Sequence, residues 1–228
     1  MSFIRLYNED CVTLFDRGGA CISEDDIKRL VLVTDPPFNV GYKYNTYKDS
    51  MPEAEYLEWI KGIVTFYDVP FVLVHYPDML HKISITTGIA PERVVSWVYN
   101  SNTAKQHRDI AYYKVIPDFK RVRQPYKNPN DKRIKQRIAE GKMGAKLYDW
   151  WEINQVKNVS KEKTAHPCQM PLEVMKRVIG ILPDNVLVVD PFLGSGTTGL
   201  ACKELGVDFI GCEIDRDYYE IAKKRLGV

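Results

Sequence analysis

Cysteine is scarce in this chain: five among 228 residues, at positions 11, 21, 168, 202 and 212, with no CxxC pair. An odd, scattered count excludes a disulfide framework. The four histidines, at 75, 81, 107 and 166, lie too far apart for zinc-ligand spacing, so no metal site is expected. No apolar run approaches the ~20 residues that a membrane helix requires. The opening Met1-Ser2-Phe3-Ile4-Arg5-Leu6 lacks the charged and apolar regions of a signal peptide. Internal repeats and low-complexity tracts are also missing. These absences predict a reduced, cytoplasmic, metal-free protein with no membrane association.

What is present is an ordinary globular composition, 45% hydrophobic and 27% charged, long enough to bury a proper core. The net charge of +2 conceals an asymmetry. Residues 101–165 carry 16 Lys and Arg against 7 Asp and Glu, while the remainder carries 16 against 23. A basic segment on an acidic body suits a polyanion, with nucleic acid the commonest candidate, although a solvated charged face would look the same.

Hydrophobic patterning reads as alternating strands and helices. Strands are predicted at Phe3–Tyr7, Val31–Thr34, Phe71–His75, Arg93–Tyr99, Val186–Val189 and Asp208–Cys212. Helices are predicted across Asp10–Phe15, Ser23–Leu30, Asp78–Thr87, the stretch following Pro171, and Thr197–Leu205 ended by Gly206. Ser50 and Glu53 stand at capping-box spacing before a helix bearing Tyr56, Ile60, Ile63, Val64 and Tyr67 on one face. Asn130 is the expected cap of a helix within the basic segment, and Asp215 that of the last helix.

Two loops follow predicted buried strands, where open α/β sheets bind ligands. Gly194-Ser195-Gly196-Thr197-Thr198-Gly199 matches GxGxxG, with Glu213 about 20 residues on, as in dinucleotide sites. A nicotinamide site fits poorly, because Asp190-Pro191-Phe192 intervenes between strand and first glycine and only one strand follows. A phosphate-binding P-loop is excluded, since no Lys follows the second glycine. S-adenosylmethionine suits the loop chemically: small residues admit its amino-acid part, and Glu213 can accept from both ribose hydroxyls.

The other loop is Asp35-Pro36-Pro37-Phe38. An exocyclic base amine is a poor nucleophile because its lone pair is delocalised into the ring. A carboxylate and a main-chain carbonyl accepting its two hydrogens would draw the nitrogen toward tetrahedral geometry. The prolines would hold those acceptors in place, and Phe38 offers a face for a base turned out of the duplex.

With these two motifs the chain resembles the β-class DNA amino-methyltransferases, the circularly permuted group in which the catalytic loop precedes the cofactor loop. The likeness covers most of the chain. It implies a Rossmann-like α/β methyltransferase sheet in which Val186–Val189, Asp208–Cys212, Phe3–Tyr7 and Val31–Thr34 are the first four strands. It divides the chain into a catalytic half (1–100), an inserted target-recognition region (101–150) and a cofactor-binding half (151–228).

By the same resemblance, Thr164 and His166 line the methionine end of S-adenosylmethionine and Asp10 approaches its adenine. Asp190, Phe192, Gly194, Ser195, Gly196, Thr197 and Glu213 complete that pocket. Lys43, Arg108, Arg121, Arg123, Arg133 and Arg137 are expected on DNA, interleaved with Tyr112, Tyr113, Phe119 and Tyr126. The loop 39–49 is expected to close over the flipped base. Two departures stand out: Met170 where the family usually has Lys, and Phe38 where Tyr is more frequent.

Asp heading the catalytic motif is the form usual for adenine N6 methylation, and Ser for cytosine N4. The resemblance also implies a homodimer. A cytosine-N4 enzyme, an RNA substrate and a non-catalytic nucleic-acid-binding module with a vestigial cofactor site stand as alternatives.

Overall fold

The computed structural model describes residues 2–16 and 21–228. In chain order its elements are β1 (Ile4–Tyr7), α1 (Cys11–Asp16), α2 (Glu24–Ile27), β2 (Leu30–Thr34), α3 (Glu53–Val64), β3 (Phe71–His75), α4 (Pro77–Thr87), β4 (Arg93–Val98) and β5 (His107–Tyr113). Then come β6 (Arg123–Gln124), α5 (Lys132–Ala139), β7 (Ala145–Lys146), β8 (Trp150–Glu152), α6 (Leu172–Gly180), β9 (Leu187–Asp190), α7 (Thr197–Leu205), β10 (Asp208–Cys212) and α8 (Arg216–Leu226).

Among the described residues, eight strands form one sheet in the order β1-β10-β9-β2-β3-β5-β4-β8. The four strands expected to come together, β9, β10, β1 and β2, do lie side by side, in the spatial order β1-β10-β9-β2. Every neighbouring pair is parallel except those involving β5, which runs antiparallel between β3 and β4. Strands β2 and β3 are buried along their whole length, LVLVT and FVLVH. Apolar runs without alternation suit parallel strands covered on both faces. One face carries Val31, Val33, Val72 and Val188 into a cluster with α6 and α7; the other carries Leu30, Leu32, Leu73 and Val189 against α3 and α4.

Gly199 permits close packing of α7 on this sheet. A Cβ there would stand 2.7 Å from Cε1 of Phe209, which is fully buried on β10. Helix α8 begins as expected, with the Asp215 carboxylate accepting from the N–H groups of Asp217 and Tyr218.

Four local expectations are corrected. Ser50 does not cap α3, whose N-cap is Pro52 with no side-chain bond; the helix starts at Glu53 itself, too late for Ser50 to reach its first turn. Asp131, not Asn130, caps α5. The helix expected over Ser23–Leu30 is only Glu24–Ile27, because Leu30 already belongs to β2. His107–Tyr113, assigned to the inserted region, is a core strand, so Tyr112 and Tyr113 are fully buried; Phe119 packs against the same core. Tyr112 and Tyr113 therefore belong to no nucleic-acid surface.

Replacing Phe209 with Ala should destabilise the fold by about 3–5 kcal/mol, the cost of emptying a large, close-packed aromatic site. Equilibrium urea unfolding measures this; a loss under about 1 kcal/mol would mean that the neighbours collapse into the space.

Candidate active site

The parallel pairing of β2 with β9, Leu32 opposite Val189, brings the ends of two strands together. Asp35 follows one and Asp190 ends the other. Thr34 Oγ1 donates to Asp190 Oδ1 at 2.9 Å, tying the two loops side by side. Between and above them lies a cleft of about 530 Å³, within the size range of small-molecule sites.

Among the described residues, six carboxylates line this cleft, from Glu9, Asp10, Asp35, Asp190, Glu213 and Asp215, against one guanidinium, that of Arg108. Such a surface suits a cationic ligand. Burial pushes Asp190 up to about 6, opposed by hydrogen bonds from Thr198, from the N–H of Phe192 and from Thr34. Asp35 is pushed up to about 7 by burial, with Arg108 opposing and Asp190 reinforcing the shift. Its Oδ1 is buried and has no partner.

The glycine loop is braced from two sides. Glu213, at the end of β10, accepts from the Gly194 N–H at 2.8 Å through Oε2 and from the Asp215 N–H at 2.9 Å through Oε1. Burial raises its pKa, and those backbone bonds oppose the rise. Arg225 from α8 donates to the Ser195 carbonyl at 3.2 Å and to Thr197 Oγ1 at 2.7 Å. Gly194 has φ +51°, and His166 Nε2 would stand 3.2 Å from any Cβ there, so glycine serves both conformation and contact. His166 stands edge-on to Tyr218, with its buried Nδ1 unpartnered. Burial drives its pKa down to about 4, so the ring is neutral.

The catalytic loop is held by a relay. The Tyr76 N–H donates to His75 Nδ1 at 2.8 Å, which leaves Nε2 as the donor to Tyr56 Oη at 3.0 Å. The Tyr56 hydroxyl in turn donates to the Pro37 carbonyl at 2.7 Å. Burial lowers the pKa of His75 to about 3, which fits this neutral tautomer. The Pro37 carbonyl is thereby engaged within the protein.

The expected residues divide. Asp10, Asp35, Pro36, Pro37, Phe38, His166, Asp190, Phe192, Gly194, Ser195, Thr197 and Glu213 all line the cleft. Thr164 does not; its hydroxyl donates to Gln169 Oε1 at 2.9 Å, bracing the segment that carries His166. Gly196 does not either; it packs against Ala222 and Leu226, and its φ of +75° begins α7. Phe38 is only 8% exposed. His75 stacks on it at 4.2 Å and the Arg108 guanidinium lies over it at 4.6 Å, so its face is already covered.

Arg108 is thus a cleft residue, with Nη1 3.8 Å from the Met170 sulfur, rather than a surface cation. Arg121 is engaged with Asp184. Lys43, Arg123, Arg133 and Arg137 are exposed. Loop 39–49 is tied down by the buried Asp49 carboxylate, which accepts from the N–H groups of Asn39, Val40 and Tyr42. From it Tyr42, Tyr44 and Tyr47 reach the cleft. Thr34, Tyr56, His75 and Arg225 were not picked out from sequence. The available signals were a polar residue ending a buried apolar strand, for Thr34 and His75, and none for Arg225.

The donor set fits S-adenosylmethionine: carboxylates for its ammonium and sulfonium charges, Glu213 for its hydroxyls, and the unpartnered His166 Nδ1 among the lining groups. Glu213→Ala should raise its dissociation constant about tenfold or more, matching the loss of about 1.5–3 kcal/mol of hydrogen bonding to a charged group. Asp190 must be ionised to attract a cation, so affinity should fall as pH drops through about 6. Calorimetric titration from pH 5 to 8 tests both; affinity independent of pH and of Glu213 would place the ligand elsewhere.

Comparison with known proteins gives a consistent answer. The family model described as DNA methylase matches residues 82–224. The type II methyltransferase M.HpaI of Haemophilus parainfluenzae is 29% identical over 220 residues, spanning 86% of this chain and 67% of that protein. The DNA adenine methyltransferase YhdJ of Escherichia coli K12 is 24% identical over 238 residues, 87% of this chain and 76% of that one. Among solved structures, the M1.HpyAVI–SAM complex superposes with a TM-score of 0.61 at 25% identity, covering 98% of this chain and 100% of that one. The chain spans about two thirds to three quarters of these curated relatives. With more than half its length matched by the family model, this chain belongs to the DNA methylase family of S-adenosylmethionine-dependent enzymes.

Proposed function

We propose that this enzyme methylates the N6 amine of adenine in DNA, with the base turned out of the duplex into the cleft. The observation that carries the reading is the buried, unpartnered Oδ1 of Asp35 beside the acid-lined pocket, an acceptor without a donor. An exocyclic amine supplies that donor. Asp35 and the Pro36 carbonyl accept its two hydrogens, which concentrates the nitrogen lone pair on the side facing the cofactor loop. S-adenosylmethionine, when bound, supplies an electrophilic methyl group. As the nitrogen forms its new bond it sheds a proton, and Asp35, with a pKa near 7, is matched to take it and pass it to solvent. The aspartate at the head of the motif supports adenine over cytosine, as does the likeness to an adenine methyltransferase.

The catalytic loop precedes the cofactor loop in the chain, which supports assignment to the permuted β class. Within the basic segment, the ribbon of β6 and β7 and the exposed helix α5 are the target-recognition region in this reading. Asp131 caps α5, and Arg133 and Arg137 stand exposed on it, Arg133 with its Nε 3.7 Å from the Asp131 carboxylate. A cytoplasmic homodimer acting on the cell's own DNA completes the proposal. No helix among the described residues is long and apolar enough to cross a membrane.

Asp35→Ala should lower single-turnover methyl transfer by about 10³-fold, the scale of losing a preorganised polar group at the reacting centre, with little change in cofactor affinity. Retained turnover would remove Asp35 from this role. For DNA binding, Arg133→Gln with Arg137→Gln should reduce the slope of log K against log salt by about 0.9 for each phosphate no longer neutralised. Arg121→Gln should change it less, because that side chain is committed to Asp184. Equal slopes in all three proteins would move the DNA surface away from α5.

A further inference from the structure

The reading of Asp35 as amine acceptor requires a carboxylate that stays ionised in a cleft lined by five other acids. Among the described residues, one cation faces that cleft. Arg108 projects from β5, where it stands opposite Trp97 in register. Its guanidinium carbon lies 4.6 Å from the Phe38 ring centroid and 5.5 Å from that of Trp97. Its Nε is buried and unpartnered, as is Oδ1 of Asp35. Arg108 and Asp35, each with a buried polar atom that makes no hydrogen bond, therefore line one cleft, where charges interact more strongly than in bulk water.

We propose that Arg108 is a positioning residue for methyl transfer: its guanidinium supplies the positive charge that keeps Asp35 ionised and ready to accept the amine hydrogens. The other groups around Asp35 cannot do this. Asp190, from the end of β9, opposes ionisation. Tyr44 from loop 39–49, Tyr56 from α3, Tyr99 beyond β4 and Cys168 before α6 have their pKa values raised by burial and are neutral near pH 7. His75, stacked on Phe38, is neutral as well. Arg108 itself faces Asp35, Tyr99, Tyr76 and Cys168, with Lys105 drawn to the Tyr76 ring and to Asp78. The same guanidinium covers Phe38, so an entering base must displace it or stack upon it.

The proposal rests on the assignment of Asp35, and the experiment separates the two. With S-adenosylmethionine saturating at every pH, kcat/KM for DNA is measured from pH 5.5 to 9.5 for the parent, Arg108→Met, Arg108→Lys and Asp35→Asn. The parent should lose activity as pH falls through about 7, where Asp35 takes up its proton. Arg108→Met should move that limb up by about one pH unit or more, the effect of removing a nearby opposite charge. Its deficit should then be about tenfold near pH 6.5 and nearly closed at pH 9. Arg108→Lys should restore the limb.

An Arg108→Met deficit equal at every pH would mean a merely structural role and overturn the proposal. So would an unmoved limb with a shallower salt dependence, the mark of a DNA phosphate contact. Asp35→Asn keeps an acceptor oxygen that does not titrate, so it should be slow with no acid limb. A parent-like limb in Asp35→Asn would instead overturn the assignment of Asp35. Thermal melting and cofactor titration establish that each variant is folded; should Arg108→Met fail them, Arg108→Gln carries the same test.

Discussion

Everything in this molecule depends on β2 and β9 lying next to each other and parallel. One comes from the first fifth of the chain and the other from the last, and neither carries a complete site. Their pairing sets Asp35 beside Asp190, and the Thr34–Asp190 hydrogen bond locks the two loops in register. A group that donates methyl and a group that accepts it must meet at bonding distance. Here a backbone ladder of buried valines and leucines enforces that proximity, which is far stiffer than any surface loop could be. The bracing by Glu213, Arg225 and the His75–Tyr56 relay then fixes the loops on this frame.

The second constraint is electrostatic. Gathering six carboxylates around one cleft costs desolvation and mutual repulsion, visible in the raised pKa values of Asp35, Asp190 and Glu213. Such a cost is tolerated where function demands it. A cofactor with two cationic centres offsets it on one side, and Arg108 on the other. The cleft is thus poised between charge states, and both cofactor affinity and turnover should report the pH of their surroundings.

Much of this was legible in the sequence, because the motifs sit on strands whose apolar runs are unambiguous. The strands before Asp35 and Asp190 were readable from their apolar runs, and the family resemblance implied the interleaving of the chain's two ends. What failed was reading position from residue type alone. Arg108, Tyr112 and Tyr113 lie in a basic, aromatic stretch that resembles a nucleic-acid surface, yet β5 carries them into the core sheet. Thr164 and Gly196 stand within the motifs but support neighbours instead of lining the cleft. Ser50 had the right spacing for a cap, but α3 starts at Glu53, with Pro52 as its N-cap. Long-range pairing decides such cases, and local pattern carries no record of it. The acceptor relay through His75 was hidden for the same reason, since Tyr56 and Pro37 meet only once α3 has packed.

The most direct test is to supply unmethylated duplex DNA and labelled S-adenosylmethionine, digest the product to nucleosides and identify the labelled species by mass. The account predicts N6-methyladenine as the labelled nucleoside. N4-methylcytosine would contradict the choice of base while leaving the chemistry of the cleft intact. No label in the DNA, despite measured cofactor binding, would contradict the account itself.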